Sequence, residues 1–428
     1  MPIIRNSIYN ITGMVLPILF GIYAIPVLIA ELGLAKFGVL SLLWAISSYF
    51  GLFDFGLGRA VTQRLMLALS EKQTELLGVI IGTSSALLIA LGLMAGIGMA
   101  SNATFLAQQI STPLIQPEVE NSIFWMALSM PAILLTTGYR GILEAAGQFG
   151  IINLIRVPMG IYTYMAPVVG VWLGYSSLGD IALILAIGRF AALIVHGFFG
   201  LRAFHNIRGH GSFHLEMAKA LLKFGGWLSV SNLVSPLMSY IDRFLLATII
   251  STTAVSYYVT PQELVLRIGI IPAAIAAVIF PALAATRDTN NLKANLVQYS
   301  LAIGAVMLPI ALLFIIFAHL IIELWITKEF ADTAAPVLQI LAVSAFFSGL
   351  AQVPFSLLQS QARADITAKL HLIELPLYVG LLYLLTDLYG IKGAASAWAI
   401  RIGFDMIALH FLSMRLIKHG SGVNLARR

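Results

Sequence analysis

Leu76 to Ala100 reads LLGVIIGTSSALLIALGLMAGIGMA, a run of 25 residues without one Asp, Glu, Lys or Arg. A helix needs about 20 consecutive, mostly apolar residues to cross the hydrocarbon of a bilayer, so this stretch is long enough and apolar enough to span. A barrel strand would alternate polar and apolar residues over about ten positions. This run is continuous. Working outward, Ser7–Ala30 and Leu296–Ile322 are equally free of charge. The same reading over the whole chain predicts about twelve spans, at 7–30, 38–57, 76–100, 121–142, 151–174, 180–203, 224–249, 255–283, 295–319, 333–359, 367–387 and 392–414. The expected fold class is therefore an all-α polytopic membrane protein. The first span is too long for the apolar region of a signal peptide, and no small-residue cleavage pattern follows Pro26, so it is expected to be retained.

Composition agrees. Charged residues make up 10% of the 428 residues and hydrophobic ones 59%, with a mean hydropathy of +0.93. A soluble domain carries about 25% charged residues, so lipid must be the solvent for most of these side chains. There is no cysteine, which excludes disulfides, thiolate metal sites and a cysteine nucleophile. The net charge of +6 does not signal nucleic-acid binding, because the basic residues lie singly between apolar runs.

Those basic residues set an expected orientation. With the N-terminus in the cytoplasm, 17 of the 25 Lys and Arg fall on inside segments: Arg5, Arg59, Arg64, Lys72, Arg140, Arg202, Arg208, Lys219, Lys223, Arg287, Lys293, Arg363, Lys369, Arg415, Lys418, Arg427 and Arg428. Only Lys36, Lys328 and Lys392 fall outside, a strong positive-inside bias that places both termini in the cytoplasm. The longest basic inside loop, about 204–223, lies mid-chain and suggests two six-helix lobes, 1–210 and 211–428. Short matches support an internal repeat: Ile155-Arg156-Val157-Pro158 with Ile373-Glu374-Leu375-Pro376, and Ala186-Ile187-Gly188-Arg189 with Ala399-Ile400-Arg401. Chance likeness between apolar helices is the competing explanation. Repeats of six spans share topology, so the two bundles would relate by a pseudo-twofold axis along the membrane normal and enclose a central cavity, the layout of an alternating-access transporter.

Several motifs then carry a family resemblance. They are Leu32-Gly33 with Phe37-Gly38, the run Leu52-Phe53-Asp54-Phe55-Gly56-Leu57-Gly58 with Thr62-Gln63-Arg64, Tyr240-Ile241-Asp242-Arg243-Phe244, Phe280-Pro281-Ala282-Leu283, and Gly390-Ile391-Lys392-Gly393-Ala394-Ala395. With them the chain resembles the bacterial O-antigen and exopolysaccharide flippases, the polysaccharide transporters of the multidrug/oligosaccharidyl-lipid/polysaccharide exporter superfamily. The resemblance covers nearly the whole chain through loose apolar patterns. It implies movement of an undecaprenyl-pyrophosphate-linked oligosaccharide from the cytoplasmic to the outer leaflet of a bacterial inner membrane. It also implies no cofactor, coupling to a proton or sodium counter-ion, and partnership with polysaccharide polymerase machinery. Peptidoglycan-precursor flippases of the superfamily usually carry two further C-terminal helices, and this chain is read as ending after twelve.

An ionised side chain in hydrocarbon costs about 2.5–3.5 kcal/mol on insertion scales, so each one needs a reason. Arg156, Arg189, Arg243, Arg267 and Arg401 lie within predicted spans. Glu263 with Arg267, and Arg401 with Asp405, are four residues apart and are expected to meet on one helix face. Asp242 and Arg243 are adjacent, point in different directions and are expected to pair elsewhere. Arg156 and Arg189 have no acid within a helical turn. A guanidinium fork matches paired phosphate oxygens, so these two are expected to line a cationic cavity that receives the pyrophosphate, with interlobe ion pairs, for example to Glu374, as the competing reading. Arg243, Arg267 and Arg401 are further candidates for substrate contact. Asp54, Arg59 and Arg64 around Gly56 and Gly58 form either a cytoplasmic gate or an ordinary helix end. Asp242, Glu374 and Asp405 are placed for ion coupling, and with Glu263 they are equally candidates for structural ion pairs. His196 shares a face with Arg189, while His319, His371 and His410 lie near span ends. No His, Asp and Glu group shows metal-ligand spacing along the chain, and the histidines are expected to be packed or interfacial.

Gly78-x-x-x-Gly82, Gly92-x-x-x-Gly96 and Gly170-x-x-x-Gly174 are candidate close-packing faces. Two rival functions remain open at this level. A multidrug or cation exporter of the same superfamily would favour an acid-lined cavity. A polyprenyl-phosphate-handling membrane enzyme would need a large external domain or clustered acids with a metal, and no loop here is long enough.

Overall fold

The computed structural model describes residues 2–50, 54, 56–204, 212–286, 288–361 and 363–420. Arg208, Arg287, Arg427 and Arg428 among the inside charges, and Leu52, Phe53 and Phe55 of the opening motif, lie outside the described residues, as does the side chain of Arg5. Helices account for nearly all of what is described, and no strand occurs among those residues. In chain order they are α1 (Pro2–Phe50), α2 (Leu57–Ser70), α3 (Thr74–Ser101), α4 (Ala103–Ile110), α5 (Gln116–Ala145), α6 (Phe149–Trp172), α7 (Leu178–Ala203), α8 (Leu215–Ile249), α9 (Thr252–Ile268), α10 (Ile270–Ala285), α11 (Thr289–Ile316), α12 (Ala318–Trp325), α13 (Lys328–Ser360) and α14 (Ala364–Gly420). Among the described residues nine helices are long and apolar enough to cross a membrane. Two of these, α1 and α14, each merge two limbs across a non-helical glycine, Gly33 at φ 76° and Gly390 at φ 61°. The protein is an all-helical, multi-pass membrane protein.

The fold departs from the predicted boundaries at specific places. Of the second predicted span, 38–57, the part up to Phe50 lies in α1, residues 51–53 and 55 lie outside the described residues, and α2 begins at Leu57 after a left-handed Gly56. The predicted span at 255–283, by contrast, coincides with one candidate span, Thr252–Ala284, which runs through α9 and α10 across a helical Gly269. The stretch between the predicted spans 76–100 and 121–142 contains the eight-residue helix α4, and α12 has the same length.

The chain divides into two compact units, one of Met1–Tyr240 with Ser251–Thr253 and the other of Ile241–Ile250 with Ala254–Arg428, and the boundary falls within α8. In the first unit α5 packs against α2, α3 and α7, and α1 packs on α6. The α3–α5 contact explains one glycine motif. A Cβ on Gly92 would meet Pro131 Cα at 2.5 Å, and one on Gly96 would meet the Ala127 carbonyl oxygen at 2.5 Å. The absence of side chains there lets two backbones approach, which is what association in lipid rewards. Gly170-x-x-x-Gly174 works differently. Gly174 sits at φ 93° just past the end of α6, where the Tyr175 N–H donates to the Gly170 carbonyl at 2.9 Å, so this pair terminates a helix.

In the second unit α13 is the central element, packed on α10, α11, α12 and α14. The two units repeat one local pattern. Helices of 28, 8 and 30 residues run from α3 to α5, and helices of 28, 8 and 33 residues run from α11 to α13. The linking residues Asn102 and Phe317 adopt nearly the same backbone conformation, φ −108°, ψ 11° and φ −101°, ψ 16°.

A buried polar network organises α8 and α9 within the second unit. Arg243 is 2% exposed; its Nη2 donates to Glu263 at 3.0 Å and its Nε to Gln262 at 3.0 Å. Arg267 Nη2 donates to the other Glu263 oxygen at 2.7 Å, the pair expected from the four-residue spacing. Asp242 is fully buried and accepts from the Tyr258 hydroxyl at 2.6 Å and from Gln262 Nε2 at 2.7 Å. Two acids and two arginines are thus balanced without a ligand.

Two outcomes follow from this packing. Gly92→Leu should lower the melting midpoint of purified protein by overpacking worth about 1–3 kcal/mol, whereas Gly98→Leu, with nothing within 4 Å of its added carbon, should not. Arg243→Met should cost toward the low end of about 3–5 kcal/mol in thermal unfolding, because Arg267 still holds Glu263. Lys219→Met, which removes the exposed pair with Glu216, should leave the midpoint unchanged.

Candidate functional site: a basic cavity in the first unit

Within the first unit α1, α5, α6 and α7 enclose a cavity of about 310 Å³. Its lining includes Ser47 of α1, Thr136, Thr137 and Arg140 of α5, Arg156 and Thr163 of α6, and Arg189 and His196 of α7. The structure therefore brings Arg156 and Arg189, 33 positions apart in the chain, to one space. None of the described lining residues is acidic.

Local structure accounts for the placement. Gly160 allows α6 to approach α1, since a Cβ there would meet Pro17 Cγ at 2.6 Å. Gly188 of α7 would similarly crowd the ring of Tyr162, whose hydroxyl donates to the Ile184 carbonyl at 2.6 Å. These close contacts carry Arg189, the next residue, toward the α6 side. The hydroxyls of Thr136, Thr137 and Thr163 donate to carbonyls on their own helices, Ala132, Leu134 and Met159, at 2.7, 2.7 and 2.9 Å. Their lone pairs and methyl groups are what remains for the cavity.

The positive groups differ in how they are held. Arg140 Nε donates to Glu144 at 3.0 Å on the same helix. Arg189 has neither an ion pair nor a hydrogen bond to any described residue, and it is only partly exposed. His196 is buried, with Nδ1 2.8 Å from the Ala192 carbonyl. A carbonyl only accepts, so Nδ1 carries the hydrogen and Nε2 is left for another partner. The cavity can thus offer guanidinium donors to an anion, while Nε2 of the neutral His196 ring is an acceptor.

Of the other sequence candidates, Asp54 borders the cavity through the side chain of Thr137, and the rest fall elsewhere. Asp54 accepts from the Gly56 and Gly58 N–H groups, both at 2.9 Å, and so closes the turn that starts α2. Arg59 is exposed and Arg64 partly exposed on α2. Arg243, Arg267 and Arg401 belong to the second unit and are absent from this lining. The first two are committed to Glu263. Arg401 forms no ion pair with Asp405, contrary to the four-residue expectation; it lies over the rings of Tyr378 and Trp398, 5.5 and 5.0 Å from their centroids. Two aromatic faces, Tyr378 on the other limb and Trp398 on its own, won over an acid on the same limb. Asp405 instead lies 3.7 Å from His371, with Glu374 nearby, a group that spacing along the chain did not reveal. Arg140 was also missed as a site residue, because its position near the end of α5 reads as an inside charge.

Comparison with known proteins fits this geometry. A family model described as a polysaccharide biosynthesis protein matches residues 32–335, well over half the chain. A putative O-antigen transporter from Shigella flexneri is 29% identical over 97% of this chain and 99% of its own length. A lipopolysaccharide biosynthesis protein, WzxC of Escherichia coli K12, is 21% identical over 96% of this chain and 81% of its own. Two solved structures share the fold. An inward-facing multidrug-resistance transporter of the MATE family has a TM-score of 0.77 at 16% identity, covering 97% of this chain and 99% of its own. The lipid II flippase MurJ has a TM-score of 0.74 at 15% identity, covering 96% and 87%. The motif resemblance and the family match agree, and the chain belongs to the polysaccharide biosynthesis protein family, as a multi-pass membrane transporter and not an enzyme.

Proposed function

We propose that this protein flips a lipid-linked oligosaccharide across the bacterial inner membrane, from the cytoplasmic to the outer leaflet, with the cavity of the first unit receiving the diphosphate. The observation that carries this reading is the unanswered charge of Arg189 beside Arg156 in a cavity whose described lining has no acid. A permanent guanidinium in a largely apolar bundle needs an anion. A diphosphate on a polyprenol supplies paired oxygens at headgroup level, which a guanidinium fork matches. The S. flexneri relative, named an O-antigen transporter, and the shared fold of a lipid II flippase support a lipid-linked glycan as cargo.

The rest of the proposal follows from charge and repetition. Both termini lie in the cytoplasm, supported by the 17 against three distribution of Lys and Arg. Two six-helix lobes, 1–210 and 211–428, alternate access to the two leaflets. The matched series α3–α4–α5 and α11–α12–α13 supports such a repeat. A cation exporter is the weaker reading, since an anionic drug-binding cavity would place carboxylates where this lining has arginines.

Arg189→Gln should abolish flipping while membrane levels stay normal, and Arg189→Lys should retain only part of it, because an ammonium lacks the fork. The measurement is leaflet-specific labelling of undecaprenyl-pyrophosphate oligosaccharide in a deletion strain complemented with each variant. Accumulation on the cytoplasmic face with Arg189→Gln supports the proposal. Full activity of both variants sinks the role of the cavity, and a normal glycan distribution in the deletion strain sinks the flippase itself.

A further inference from the structure

The two limbs of α14 bring together a second group of ionisable side chains, unrelated to the basic cavity. His371 and Glu374 lie one turn apart on the first limb, and Asp405 lies on the second. On a straight helix the 34 residues from His371 to Asp405 would span about 50 Å. The reversal at Gly390 instead brings a ligand atom of each residue within 4.8 Å of the other two. An ion inside that triangle touches all three with only small side-chain rotations.

Burial makes the group costly as it stands. Glu374 is 2% exposed, and neither of its carboxylate oxygens has a hydrogen-bond partner. Asp405 is 8% exposed with Oδ1 likewise unpartnered, and His371 is 9% exposed. His371 Nε2 lies 3.7 Å from Asp405 Oδ1, beyond hydrogen-bond length. Arg401 is the neighbouring cation and acts electrostatically on Glu374, but its Nε and Nη1 donate to nothing. It can balance one carboxylate at most. Two buried carboxylates thus face each other, with Arg401 and the His371 ring as their neighbouring basic groups, in a setting packed by Leu370 and Leu409. The Asp242–Glu263 network, by contrast, satisfies its own charges.

We propose that His371, Glu374 and Asp405 form a binding site for a borderline divalent metal ion of the zinc, cobalt or manganese kind. The ligand chemistry favours that class. Sodium and magnesium take oxygen ligands, whereas an imidazole nitrogen with two carboxylates suits first-row transition ions and zinc. A bound ion holds the two limbs of α14 together through three side chains, and the neighbouring Arg401 keeps its place on Tyr378 and Trp398. The site stands independently of the flippase reading, since no part of it uses the basic cavity.

The test uses the full chain, purified in detergent and stripped with chelator, then titrated with cobalt(II) followed by absorption and with zinc(II) by elemental analysis after gel filtration. About one ion per chain is expected, together with a raised melting midpoint. His371→Ala should weaken binding at least about tenfold, and Glu374→Gln should abolish it. His319→Ala, which removes an exposed imidazole beside Glu323 and Asp332, should bind as wild type. If Glu374→Gln does not yield folded protein, the His371→Ala titration decides alone. Undiminished binding in His371→Ala overturns the proposal. So does wild-type protein that binds neither ion and is stabilised only by sodium or by lowered pH, which would make the group an alkali-ion or proton site.

Discussion

Arginine keeps its charge wherever it is placed, and in hydrocarbon that permanence governs how the surrounding helices pack. Within the second unit, Arg243 and Arg267 converge on Glu263, which fixes the register of α9 against the last turns of α8. Arg401 is met by two ring faces, which ties the limbs of α14 through Tyr378 and Trp398. In the first unit Arg189 meets no acid and faces a cavity. The Arg243–Arg267 cluster is complete within the fold, whereas Arg401 keeps two N–H groups without an acceptor. Arg189 has neither an acid nor a ring as partner among the described residues, and the proposed anion site rests on that difference.

Much of the fold was legible because lipid imposes a simple rule. A run of about 20 apolar residues is a span, and such runs as Leu76–Ala100 coincide with helices. What escaped the reading was set by backbone conformation and not by hydropathy. The start of α2 at Leu57 lies in a stretch as apolar as its flanks, and the left-handed Gly56 before it is what hydropathy does not report. The short helices α4 and α12 are too brief for periodicity to register. Gly92 and Gly174 sit in identical motifs, yet one admits a neighbouring backbone and the other stops a helix.

The site was partly legible for a related reason. Arg156 and Arg189 stood out because no acid lies within a turn of either, an absence that sequence shows directly. Arg140 did not stand out, since a basic residue near a span end is the normal inside charge. The convergence of His371 and Asp405 was invisible because helical spacing reports only neighbours three and four residues apart. For the same reason Arg401 and Asp405 looked like a pair. Spacing says which groups can meet, and the opposing limb decides which of them do.

The reversal at Gly390 has a consequence for biosynthesis. With a single left-handed residue between the limbs, there is no tether to thread through the membrane ahead of the second one. During synthesis the first limb emerges with Glu374 exposed, and the second follows with Arg401 and Asp405. Alone, the first limb presents the carboxylate of Glu374 to the lipid without a partner charge. Docking the second limb sets Arg401 near that carboxylate, which favours insertion of the two limbs together over insertion one after the other.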